Sequence, residues 1–155
     1  MYPTLEAVLG SEKYKIATNR PELGPQIFGT LGNIHQMFAP RLAALETIEE
    51  MSSLLEDQGS AQRDAQKPGE IKTTGAKWNT KKWDTDAINA VLQTYLRQRL
   101  ERDEHFRRIL RAVKTANGSL VYVGGGGELG GKIVGDEVKG ENLYGEALNA
   151  VMATL

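Results

Sequence analysis

Residues 83–100 read WDTDAINAVLQTYLRQRL, and the spacing of their apolar side chains decides the fold class. At about 100° per residue, Ala87, Ile88, Val91, Leu92, Tyr95 and Leu96 fall on one broad stripe, which predicts a helix buried along that side. Asp84 stands ahead of it as an N-cap. A second helix is predicted to start at Asp103, with Phe106, Ile109, Leu110 and Val113 inward and Arg107, Arg108, Arg111 and Lys114 mostly outward; Asn117 and Gly118 end it. The arginines between 97 and 111 read as solvated helix decoration. Further on, SLVYV (119–123) is β-branched and aromatic, and KIV (132–134) repeats that character, predicting a small β element near residues 120–134. The tail, NLYGEALNAVMATL (142–155), carries Leu143, Ala147, Leu148, Val151, Met152 and Leu155 at helical spacing behind Asn142.

Upstream, Leu5, Val8, Leu9 and Ile16 share one face and predict a helix over about 4–17, opening at Pro3 or Thr4. Glu6 and Lys13 lie seven residues, or two turns, apart and project at nearly the same angle from the edge of that face. Residues 19–40 contain Pro21, Gly24, Pro25, Gly29 and Gly32, which predict short helical turns and loops. From Arg41 to Gln58 the residues Leu42, Leu45, Ile48, Met51 and Leu55 recur every three or four positions, predicting one helix that buries them and stops at Gly59. The acidic residues Glu46, Glu49, Glu50, Glu56 and Asp57 then form its solvated face. Residues 59–80 are polar and hold Pro68 and further glycines, so they read as a mobile loop or lid.

The 155 residues carry 19 Lys and Arg against 20 Asp and Glu, a net charge of −1, with 40% apolar residues and no cysteine. That length supports one domain, residues 1–155, with a real hydrophobic core. Near-neutral charge argues against tight non-specific binding to nucleic acid or anionic membranes. Without cysteine there is no disulfide framework or thiolate zinc site, and two histidines, His35 and His105, do not suggest a histidine-rich metal centre. No apolar run approaches the ~20 residues that span a bilayer, and the expectation is a cytoplasmic protein without a membrane partner.

Residues 124–145 hold nine of the 17 glycines. Such a tract either lets backbone amides approach a phosphate closely or serves as a flexible connection. No GKS or GKT follows, so it is not a P-loop. Glu6 with Lys13 reads either as a surface ion pair or as a carboxylate and ammonium in one site. Trp78 and Trp83 read as core anchors or as surfaces on which a base stacks.

Taken in order, three blocks resemble the NADAR (YbiA-like) family. PTLEAVLGSEKY (3–14) is similar to its Pro-Thr-x-Glu signature followed by a Lys-aromatic pair, through Pro3, Thr4, Glu6, Lys13 and Tyr14. KWDTDAINAVLQTYLRQRLERDEHFRRIL (82–110) is similar to its Trp-Asp helix and the long helix after it, and GENLYGEALNAVM (140–152) to its closing Gly-x-Asn-x-x-Gly-x-x-Leu helix, through Gly140, Asn142, Gly145 and Leu148. The family's His after the motif glutamate is Ala7 here, and a Gln one turn on is Gly10. Its acidic residue before a Trp-Gly pair has one counterpart in GGGGELGGKIVG (124–135), Glu128. Family members also carry a strand ahead of the first signature, whereas here only Met1 and Tyr2 precede Pro3.

The resemblance implies an α+β, predominantly helical YbiA-like domain. It also implies an N-glycosidase that needs no metal or cofactor. The substrate would be a ribosyl phosphate of the riboflavin pathway, or ADP-ribose on guanine in a nucleotide or nucleic acid. Cleaving a C–N glycosidic bond builds positive charge on the ribose, so a carboxylate beside it stabilises the transition state and orients water. Glu6 takes that role, with Lys13 and Glu128 as catalytic partners. Trp83 walls the base, Asp84 supports the site, Gly130 and Gly131 let the backbone approach, and Asn142 faces a phosphate at a helix N-terminus. The alternative is a non-catalytic module that binds ADP-ribose or a nucleotide.

Overall fold

The structure, a computed structural model, describes residue 2 and residues 4–123 and 129–155. Pro3, the glycines at 124–127 and Glu128, all singled out by the sequence, lie outside the described residues. The chain forms two compact units, residues 1–84 and 85–155.

In the first unit, helix α1 (Leu5–Ala17) starts where Thr4 Oγ1 accepts the Ala7 N–H at 3.1 Å. Helices α2 (Leu23–Phe28), α3 (Asn33–Ala43), α4 (Ile48–Ala65) and α5 (Pro68–Thr73) follow, then a 3₁₀ turn at Thr80–Lys82. Helix α1 packs on α2, α4 and the 3₁₀ turn, while α3 packs on α2 and α4. The core gathers Ala7, Tyr14, Phe28, Ile34, Ile71 and Ala76. Gly10 is where α1 and α2 meet most closely, since a Cβ there would lie 2.5 Å from two Phe28 ring atoms. Burial pushes the Tyr14 phenol above its ordinary value, against a smaller opposing effect of its hydrogen bond with Thr74.

Three expectations for this half are corrected. Residues 33–43 form a full helix behind Gly32, not short turns. The helix predicted over 41–58 is instead divided: Leu42 ends on α3, and α4 starts afresh at Thr47, whose Oγ1 accepts the Glu50 N–H at 3.1 Å. Residues 59–80 are not a lid. Helix α4 runs through Gly59 to Ala65 because Gln58 and Gln62 are buried before and beyond it, which outweighs the ~1 kcal/mol that glycine costs in a helix. Pro68 opens α5 at a position where its missing N–H is not needed.

The second unit contains α6 (Thr85–Arg102), α7 (Glu104–Thr115), strands β1 (Lys132–Val134) and β2 (Glu137–Lys139), and α8 (Leu143–Met152). Helix α6 buries Ile88, Val91, Leu92, Leu96 and Leu100 and packs on α7 and α8, which contribute Leu110 and Ala147, Val151 and Met152. Asp103 Oδ1 caps α7 through the Phe106 N–H at 2.9 Å. At its far end Asn117 turns left-handed (φ 56°), and the Gly118 N–H returns to Val113 O at 2.9 Å, the paired closure of a Schellman stop.

The fold is α+β and predominantly helical, as the sequence predicts, and KIV forms β1 as expected, but its partner is Glu137–Lys139 and not residues 119–123. Antiparallel β1 and β2 pair Lys132 with Lys139 and Val134 with Glu137 around Gly135 (φ 61°). Residues 119–123 are not a strand, because their backbone partners include side chains of the last helix in place of a full ladder. Leu120 N–H bonds to Asn149 Oδ1 and Tyr122 N–H to Asn142 Oδ1. Among the described residues no helix is long and apolar enough to cross a membrane.

Candidate functional site

Helix α1 holds Glu6 and Lys13 along one flank, and the C-terminal half of α4 fixes both. Thr4 caps the first turn and also donates to Gln62 Oε1 at 2.6 Å, so the turn that carries Glu6 is tied to α4 at its start. The Glu6 carboxylate is about a quarter exposed, with Arg63 Nη1 at 3.7 Å. Gln66 Nε2 donates to the Glu6 backbone oxygen at 3.2 Å, while Gln66 O accepts from Lys13 Nζ at 2.7 Å. Gln66 is the C-cap of α4, so the Lys13 ammonium sits at the negative end of that helix. The same ammonium lies 4.8 Å from the Trp78 ring centroid, within cation–π range.

Gln62, Arg63 and Gln66 are the residues that sequence reading missed. They lie in the stretch read as a lid, and a buried amide leaves no mark on an apolar pattern. Their signal is the i, i+4 spacing of Gln58, Gln62 and Gln66 on one side of a helix. Gln62 is fully buried, yet its Nε2 has no hydrogen-bond partner, and neither has the buried Trp78 Nε1. Two N–H donors of the first unit are therefore buried without a partner.

Trp78 acts as an anchor, packing against the core and pairing with Thr18 in an isolated antiparallel bridge. Trp83 closes the 3₁₀ turn that α1 touches and is half-buried, and Asp84 follows it, exposed. Ala7 is fully buried in the core. Gly10 is covered by the Phe28 ring. Positions 7 and 10 thus face the packing in this chain.

In the second unit, Gly130, Gly131 and Asn142 form a backbone knot. Gly131 N–H bonds to Tyr122 O at 2.8 Å and Asn142 N–H to Gly130 O at 3.0 Å. Asn142 is only 2% exposed and left-handed (φ 49°). Its Oδ1 accepts the Tyr122 N–H at 2.9 Å and its Nδ2 donates to Leu120 O at 3.3 Å. The side chain therefore anchors residues 120–122 and does not cap α8, contrary to the phosphate-facing role expected of it. Gly145 is required beside it, since a Cβ there would lie 2.3 Å from Asn142 Oδ1. Gly140 reaches the knot at φ 89°, a conformation that glycine adopts without strain.

A scan against protein-family models finds no match for this chain, and searches of curated proteins and of solved structures find none either.

Proposed function

We propose that the chain is an N-glycosidase hydrolysing the C–N bond between ribose and a base or amine, in a ribosyl phosphate or an ADP-ribosylated guanine. The observation that carries the reading is the flank of α1. A partly sheltered carboxylate, Glu6, lies 3.7 Å from Arg63 Nη1, its backbone is held by Gln66 and by the Thr4 cap of its turn, and an ammonium, Lys13, is bound to Gln66 O two turns along. In the reaction the C–N bond breaks with its electron pair going to nitrogen, which takes up a proton. A water oriented by Glu6 adds hydroxyl to the ribose carbon. Lys13 holds a phosphate or ribose oxygen, the half-buried Trp83 offers a wall for the base, and Asp84 supports it.

Incubation with aminouracil ribosyl phosphate and with ADP-ribosylated guanosine, followed by chromatography of the released base, tests the reading. Glu6→Gln is expected to lower turnover by about 10²–10⁴-fold. Equal turnover by variant and wild type removes Glu6 from catalysis. A second reading, a non-catalytic ADP-ribose or nucleotide binder, is favoured by the buried Ala7 and the covered Gly10. Saturable ADP-ribose binding by calorimetry without hydrolysis of either substrate selects it.

A further inference from the structure

The stripe that the sequence marks as the inward face of a helix is turned outward in the structure. Leu42 near the end of α3 and Ile48, Met51 and Leu55 on α4 are 48%, 75%, 44% and 51% exposed. At helical spacing, Ile48, Met51 and Leu55 form one ridge about 10 Å long. On the same helix Gln62, one further step along that side, is fully buried and bound to Thr4 at the start of α1. The ridge therefore continues a face that α1 covers, beyond the point where α1 begins to cover it. Isolated exposed apolar residues need no explanation, but a contiguous ridge at i, i+3, i+7 has the form that an amphipathic helix packs against.

Charge selects the occupant. Residues 41–57 carry five carboxylates against one cation, Arg41, a local net charge of −4. Arg41 is already engaged with Asp57 at 2.8 Å. Glu49 and Glu56 directly follow Ile48 and Leu55, about 100° round the same helix, and are exposed. A second copy laid face to face would bring two such acidic fields together, which works against association. Lysines or arginines beside the apolar side chains of a partner would instead meet opposite charge, with their aliphatic stems along the ridge.

We infer that the ridge of Ile48, Met51 and Leu55 is a docking surface for a basic amphipathic helix of another protein. The partner presents aliphatic side chains at i, i+3 or i+4, and i+7, with Lys or Arg flanking them. Met51 suits the role, since its unbranched side chain adapts to different partner shapes. The inference stands apart from the glycosidase reading, because none of these residues belongs to the flank of α1 that carries Glu6 and Lys13.

The probe is a fluorescein-labelled amphipathic peptide of leucine and lysine, about 18 residues long, with leucine at those spacings; fluorescence anisotropy reads its binding to the full chain. Saturable binding is expected, at least tenfold weaker for Met51→Ser/Leu55→Ser and for Glu49→Gln/Glu56→Gln. The same pattern with glutamate in place of lysine is expected not to bind. Both double variants change exposed side chains, so their circular dichroism and melting are expected to match wild type, which separates lost docking from lost folding. No binding of the lysine peptide overturns the inference. So does equal binding by Met51→Ser/Leu55→Ser, which reduces the association to charge, or equal binding of the glutamate peptide, which reduces it to apolar adhesion. A concentration-dependent dimer abolished by Met51→Ser/Leu55→Ser makes a second copy the occupant and overturns it as well.

Discussion

Replacing Gly145 by alanine tests the Asn142 knot, because its cost depends on a single neighbouring side chain. The added Cβ would sit 2.3 Å from Asn142 Oδ1, 2.5 Å from Nδ2 and 2.7 Å from Cγ. Asn142 is buried and held at both polar ends, so it cannot swing aside without losing its bonds. Leu120 O keeps a second donor, Asn149 Nδ2 at 3.1 Å. The Tyr122 N–H loses its Asn142 partner, at about 1–3 kcal/mol. Crowding adds about 1–3 kcal/mol, and alanine's better helix propensity returns about 1 kcal/mol. The expected net loss is about 1–5 kcal/mol, centred near 3. In an Asn142→Gly background the obstructing atoms are gone and the left-handed backbone is unstrained, so Gly145→Ala becomes neutral or stabilising by up to about 1 kcal/mol. The coupling between the two sites is then about 3 kcal/mol. Urea unfolding of the four proteins of this cycle, followed by circular dichroism, measures it. An equal effect of Gly145→Ala in both backgrounds refutes the assignment of Asn142 as the reason position 145 is glycine.

Two further predictions concern the first unit. Gln62→Met removes the bond to Thr4 but also a buried Nε2 that has no partner, so it should change stability by no more than about 1 kcal/mol. Thr4→Val removes the α1 cap and should cost about 1–2 kcal/mol, and a loss above about 3 kcal/mol for Gln62→Met in thermal unfolding would contradict the orphaned donor. For pH, burial raises the Tyr14 phenol in the folded state. Above the ordinary value of about 10, the unfolded chain releases that proton before the folded one does, and stability falls as pH rises. Alkaline titration of the melting temperature should show a shallower decline for Tyr14→Phe than for wild type above about pH 10; identical slopes would show that Tyr14 does not contribute.

The helical framework was legible where apolar spacing and caps agreed. Thr4, Asp103 and the Asn117-Gly118 stop mark their helix ends in the sequence and in the structure, and α6 buries the stripe that opened the reading. What was not legible has three physical causes. Polar burial hides in an apolar pattern, so the half of α4 that holds Gln62 and Gln66 read as a lid. A β-branched run needs a partner edge to become a strand, and residues 119–123 find Asn142 and Asn149 side chains instead. Periodicity shows that a stripe exists but not what covers it, as Ile48, Met51 and Leu55 demonstrate. Of the candidate site, Glu6 and Lys13 were visible through their seven-residue spacing. The α4 residues that fix them were not, because they come from about 50–60 positions away.

That separation has a consequence for how the first unit assembles. Helix α1 has local signals enough to begin forming by itself, but its placement depends on Lys13 with Gln66, Thr4 with Gln62 and Thr18 with Trp78. Ala17 O also receives the Asn79 N–H at 2.8 Å. These contacts close loops of about 50–60 residues, and loop closure is what slows folding in chains with distant pairings. Substitutions that loosen the bridge at Trp78 should therefore act mainly on the rate at which α1 is captured, while those within α1 act on how often it is ready to be captured. The geometry around Glu6 therefore depends on partners 53–60 positions away in the chain.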